Sequence, residues 1–88
     1  ALPIYEVEEV LSLMPGILEC AVIGTPDDDT GEAVKAFIVK EHEHITEEDV
    51  LAYCKQQMTN YKRPKKIIFR TDLPKTNVGK ILRRELRD

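Results

Sequence analysis

Val7, Val10, Leu11 and Met14 recur at i, i+3, i+4 and i+7, the spacing that places four apolar side chains on one face of a helix. Pro3 suits the first turn, Glu6, Glu8 and Glu9 favour the positive end, and Pro15-Gly16 stops the helix. The run from Ile17 to Ile23 lacks that period, is rich in β-branched residues and is too short for a typical helix, so it predicts a mostly buried strand. Thr25 to Gly31 predicts a turn-rich loop, and Val34 to Val39 a second strand. The polar run Glu41-His42-Glu43-His44 leads into Thr46, an N-cap with Asp49 three residues on, a variant of the capping box. The helix that follows puts Val50, Leu51, Cys54 and Met58 on one side and ends near Thr59-Asn60. Lys66 to Arg70 predicts a third strand, Leu73-Pro74 a break, and Ile81 to Arg87 a short basic terminal helix.

These elements predict a small α+β domain: two main helices packed on about three strands, with a short C-terminal helix added. Its expected core includes Val10, Leu11, Val22, Phe37, Ile38, Leu51, Cys54 and Ile68. The 88 residues suffice for one compact domain, and no apolar stretch approaches the roughly 18 residues of a membrane-spanning helix. Cys20 and Cys54 are far apart, each in an apolar pattern and without zinc-like spacing to a histidine. Both are expected as buried, reduced thiols, with a disulfide as the alternative. His42 and His44 share a strand face at i and i+2 but have no evident third ligand, so a solvent-exposed turn is the better reading.

Charge changes the picture more than composition does. Residues 1–54 carry 13 acidic and two basic side chains, whereas residues 55–88 carry 11 basic and three acidic ones. A basic segment in an acidic protein faces either an anionic ligand or partner, or simply solvent. Within it, Tyr61-Lys62-Arg63-Pro64-Lys65-Lys66 joins a flat aromatic to a cluster of cations, a set suited to stacking on a base and meeting phosphates. A helix-to-strand connector whose tyrosine packs on the core is the competing reading. Farther on, Gly79 permits a sharp loop or the close approach of a bound cofactor, and Lys80 follows it directly. A P-loop is excluded, because its first glycine would fall at Pro74 and Ile81 occupies the Ser/Thr position.

The run Pro74-Lys75-Thr76-Asn77-Val78-Gly79-Lys80-Ile81-Leu82-Arg83-Arg84-Glu85-Leu86 resembles the last signature of the adenylate-forming superfamily of acyl-CoA synthetases, adenylation domains and luciferases, close to P-K-[ST]-x-x-G-K-[IV]-x-R-[RK]-x-L. Gly31 to Phe37 is similar to that family's G-E-x-V-K-A-F strand, Tyr61 to Lys65 to its Y/F-K-x-P-K segment, and Pro3 with Glu6 to Val10 to the end of its hinge-side motif, with one extra residue between Pro3 and Glu6. The likeness covers the chain in order and is strongest to long-chain fatty-acid CoA ligases.

The resemblance implies a single C-terminal, mobile domain over residues 1–88, partnered by a large N-terminal domain that binds ATP and the acyl group and through which Mg²⁺ is expected. It implies attack of a fatty-acid carboxylate on the α-phosphate of ATP, then displacement of AMP from the fatty-acyl-AMP by coenzyme A. Lys80, next to Gly79, would bridge the reacting anions in the first step only. Rotation of the domain would then bring Tyr61, Arg63 and Lys65 to the nucleotide end of coenzyme A. The domain by itself would not catalyse. The full enzyme would be cytoplasmic and able to associate peripherally with the inner face of the membrane. Two other readings compete. One is an adenylating enzyme that loads a carrier protein's phosphopantetheine. The other is a basic nucleic-acid-binding module, disfavoured because Tyr61 and Phe69 are the segment's only aromatics.

Overall fold

A computed structural model describes residues 3–27, 31–58 and 63–86. Helix α1 spans Ile4–Ser12, strand β1 Ile17–Asp27, strand β2 Gly31–Lys40, helix α2 Glu47–Gln57 and strand β3 Lys66–Arg70. A 3-10 turn at Arg83–Leu86 follows. β1 and β2 form an antiparallel hairpin, and α2 carries the chain across to β3, which lies parallel to β2, giving the order β1-β2-β3.

Local chemistry explains the boundaries. The Thr46 hydroxyl accepts from the Asp49 N–H at 3.2 Å while the Asp49 carboxylate accepts from the Thr46 N–H at 3.0 Å, so the predicted capping box is complete. α1 stops at Ser12, and Gly16 takes φ +95°, the left-handed turn into β1. A Cβ there would lie 2.6 Å from Cδ1 of Ile45, so close approach as well as conformation favours glycine.

Side chains on β1 and β2 alternate between two buried faces. On one face, Val7, Leu11 and Met14 together with Val50, Cys54 and Met58 cover Cys20, Val22, Val34, Ala36, Ile38 and Ile67. On the other, Leu73, Leu86 and half-buried Ile81 cover Ala21, Ile23, Phe37 and Val39. The chain beyond β3 is therefore part of the core. Cys20 and Cys54 are free and buried.

Five sequence expectations need correction. Leu51 is 37% exposed, because Tyr53, whose hydroxyl donates to the Val10 carbonyl at 3.2 Å, takes the place beside Val50 and Cys54. Ile68 is 39% exposed, because Ile67 occupies the helix-covered face of β3 and alternation turns Ile68 to the other side. Val10 packs against the core but is half-buried. The terminal helix is one 3-10 turn at Arg83–Leu86, its residue Leu86 buried. The β1–β2 hairpin also extends past the expected ends, pairing Thr25 with Ala33 and Pro26 with Glu32.

Candidate functional site

The segment from Leu73 to Leu86 builds a small hairpin from its own backbone. The Leu82 N–H donates to the Pro74 carbonyl at 2.8 Å, Lys75 bridges Ile81, and the Thr76 N–H donates to the Lys80 carbonyl at 2.8 Å. At the tip, the Gly79 N–H donates to the Thr76 carbonyl at 2.9 Å, and the Thr76 hydroxyl accepts from the Lys80 N–H at 3.2 Å. This is a three-residue loop, Asn77-Val78-Gly79, closing with glycine in the left-handed region at φ +86°. A Cβ on Gly79 would meet nothing within 4 Å, so backbone conformation alone calls for glycine there. Val78 is 80% exposed and Lys80 is exposed beside it. The Lys80 ammonium has no hydrogen-bond or ion-pair partner among the described residues.

Two charge contacts fasten this hairpin to the sheet edge. Lys75 pairs with Glu19 at 2.5 Å. The Arg83 guanidinium grips Glu8 on α1 with both prongs, donating through Nε to Oε2 at 2.9 Å and through Nη2 to Oε1. Glu8 Oε2 also accepts from the Val22 N–H at 3.0 Å, so one carboxylate holds the free edge of β1 and the arginine together. The hydrogen bond to Glu8 raises the Arg83 pKa above its ordinary value, and the guanidinium lies 4.9 Å from the Tyr5 ring centre. Sequence reading gave Glu8 and Tyr5 no such role. Their i, i+3 spacing puts them on one face of α1, but the partner lies 75 positions away.

The second basic segment is held differently. Arg63 is half-buried and donates through Nε to the Met58 carbonyl at 3.2 Å and through Nη2 to the Lys55 carbonyl at 3.5 Å, so it caps the C-terminal end of α2. Pro64 is buried, and the exposed Lys65 donates its N–H to the Val34 carbonyl at 2.9 Å. Tyr61 lies outside the described residues. Lys75 sits at the level of Glu19, which pairs with Val39, whereas Lys65 sits at the level of Val34, which pairs with Gly24. Five residues of strand separate those levels, about 16 Å. The segments also flank opposite edges of the sheet, so the structure does not bring Lys80 together with Arg63 and Lys65.

Elsewhere, the exposed His42 and His44 rings stack at 5.0 Å, and no group of three metal-ligating side chains occurs among the described residues. No helix among the described residues is long and apolar enough to cross a membrane.

Residues 6–80, ending on Lys80 itself, match the family described as the AMP-binding enzyme C-terminal domain. The chain belongs to that family. The AMP-binding C-terminal domain here is 53% identical over 83 residues to a long-chain-fatty-acid–CoA ligase of Escherichia coli, covering 94% of this chain and 15% of the relative. It superposes with TM-score 0.87 on a fatty acyl CoA synthetase of Mycobacterium tuberculosis, at 40% identity over 93% of this chain and 16% of that one. An amide bond synthetase from Marinactinospora thermotolerans gives TM-score 0.88 at 28% identity, over 97% of this chain and 18% of that one. The chain thus spans about a sixth of the length of the proteins it matches.

Proposed function

We propose that this domain serves an AMP-forming long-chain fatty-acid CoA ligase as its C-terminal, mobile part, and that Lys80 acts in formation of the acyl-adenylate. The observation that carries the reading is an exposed ammonium, without a partner among the described residues, on a hairpin closed by backbone hydrogen bonds at its base and tip. In adenylation, a carboxylate oxygen bonds to the α-phosphorus of ATP and the bond to pyrophosphate breaks. Two anions must approach, and charge gathers on the phosphoryl oxygens. A compact ammonium between them orients the pair and offsets that charge without giving up its proton. The coenzyme A thiol then attacks the acyl carbon, its proton is lost, and AMP leaves.

Arg63, Lys65 and Tyr61 are assigned to the nucleotide end of coenzyme A. Lys80 and Lys65 lie at opposite ends and edges of the sheet, and rotation of the domain between the half-reactions is assigned to bring each in turn to its part of the reaction. ATP, the acyl chain and Mg²⁺ are assigned to a larger N-terminal partner domain, and the enzyme to the cytoplasm with peripheral association at the inner membrane face. The identity to the E. coli ligase favours a long-chain substrate.

A second reading, transfer of the acyl group to a carrier protein's phosphopantetheine, draws on Arg63. Two of its donors go to α2 carbonyls, which leaves fewer for cofactor phosphates. Comparing free coenzyme A with a pantetheinylated carrier as acceptor separates the two.

Lys80→Ala in the complete enzyme tests the main reading. ATP–pyrophosphate exchange should fall by about 10²–10³, while supplied acyl-AMP still yields thioester. Equal loss in both half-reactions would make Lys80 a general structural residue.

A further inference from the structure

The second face of the sheet carries a feature that the adenylation reading does not use. Lys35 on β2 and Lys66 on β3 are register partners in the parallel pair, so their side chains leave the same face of neighbouring strands. Like charges set side by side on adjacent strands repel. Yet neither ammonium has a hydrogen-bond or ion-pair partner among the described residues. The Lys35 ammonium lies 5.0 Å from the centre of the Phe37 ring. Lys35 is one of just two basic residues in the acidic first 54 positions, so its place beside Lys66 is not a by-product of a generally basic surface.

Both lysines line a groove of about 330 Å³ whose other walls are Ile23, Gly24, Thr25, Pro26 and Leu86. Arg63, Lys65 and Lys80 are not part of it. One side of the groove therefore holds two cations without an ion-pair partner among the described residues, and Ile23, Pro26 and Leu86 supply its apolar surface. Thr25 leaves its hydroxyl lone pairs and the backbone of Gly24 as polar neighbours.

We infer that this groove is a binding site for an organic phosphate, with the phosphoryl dianion bridging Lys35 and Lys66 and the apolar body of the ligand lying on Ile23, Pro26 and Leu86. A dianion matches two ammoniums in charge, and lysine is a recurrent point-charge partner for phosphate. The volume exceeds what a phosphate ion needs and falls at the small end of small-molecule sites. A phosphate monoester with a small apolar substituent fits both observations. The site goes beyond the proposed function, since it uses none of the residues assigned there.

The test is a titration of the ¹⁵N-labelled 88-residue chain, in which the amide spectrum also reports folding. The probes are phenyl phosphate, inorganic phosphate and phenol. Phenyl phosphate should give saturable shifts centred on Gly24, Thr25, Lys35 and Lys66. Inorganic phosphate should bind the same amides more weakly, and phenol not at all. Binding of phenyl phosphate should weaken as salt is raised and fall about tenfold or more in Lys35→Gln with Lys66→Gln. Lys66→Gln alone, at an exposed position, should fall part of that way with an unaltered fold. Absence of saturable shifts with phenyl phosphate overturns the proposal. So does equal binding by the double variant, or a response confined to other residues such as Arg63 and Lys65. The last outcome would assign phosphate to the segment already described and leave the groove empty of function.

Discussion

The hairpin that presents Lys80 is closed by its own backbone, whereas the approach to β3 that carries Arg63 and Lys65 is tied down partly by a functional-looking side chain. In the hairpin, Thr76 and the Gly79 turn satisfy the loop, Lys75 and Arg83 make the outside contacts, and the ammonium between them is left unspent. In the other segment, the arginine that resembles a phosphate ligand already donates to two α2 carbonyls. A cation meant to act across an interface can be read from what its neighbours do: where they carry the structural contacts, the cation is available. The buried thiols mark the two regions, since Cys20 feels Glu8 and Arg83, and Cys54 feels Arg63.

The largest stability effect should come from the hairpin's floor. Leu86 is buried against Ile23, Phe37 and their neighbours, and it follows Lys80 by six positions. Leu86→Ala should cost about 2–5 kcal/mol in denaturant unfolding. Leu51→Ala, at a 37% exposed position, should cost under about 1 kcal/mol. A loss for Leu86→Ala as small as that expected for Leu51→Ala would mean that the chain beyond β3 is an appendage and not part of the core.

That contrast shows what could be read from the sequence. The Thr46–Asp49 box and the Gly79 turn were legible because their partners lie three or four residues apart. The three strands were legible from β-branched runs, and β3 matched its expected span. The helix face of α2 was misjudged because Tyr53, amphipathic and able to reach the Val10 carbonyl, outcompeted Leu51. Ile67 and Ile68 are chemically alike, so only the parallel pairing to β2 decides which is covered. The Glu8–Arg83 clamp was not legible, because no local rule connects residues 75 positions apart.

The clamp itself offers the next measurement. Glu8→Ala removes the acceptor of the Val22 N–H and strands a partly buried guanidinium, so it should cost about 1–3 kcal/mol. Alkylation of Cys20, which requires local opening, should accelerate about tenfold or more, while Cys54 changes less. Uniform acceleration of both thiols would show global loosening and no clamp specific to the hairpin.

Arg63→Ala should act on the opposite thiol and by less, about 1 kcal/mol, through fraying of the end of α2. Cys54 should then label faster and Cys20 should not. In the complete enzyme Lys65→Ala should raise the Michaelis constant for coenzyme A without a stability change, whereas Arg63→Ala should do both. If Lys65→Ala leaves the coenzyme A response untouched, the cluster is solvated surface with one helix cap in it.

The smallest effect is a pH dependence that both regions share. Burial, with Glu8 adding and Arg83 opposing, pushes the Cys20 thiol from 9.0 up to about 11. Burial, opposed by Arg63, pushes Cys54 up to about 11 as well. Below pH 9 folded and unfolded chains both hold these protons, and the thiols contribute no slope. Between about 9 and 11 the unfolded chain releases protons that the folded chain retains, so the folded state binds more protons and stability falls as pH rises. The loss should be on the order of 1 kcal/mol per thiol by the top of that window. Tyrosines and lysines titrate in the same range, so the informative quantity is the difference from Cys20→Ala and Cys54→Ala, each of which should flatten the alkaline slope by its own share. Removing Arg63 takes away the charge that opposes burial at Cys54, so Arg63→Ala should steepen that thiol's contribution and leave the Cys20 share unchanged. Parallel stability curves for the wild type and both cysteine variants would mean that the thiols are solvated when folded, contrary to the packing around them.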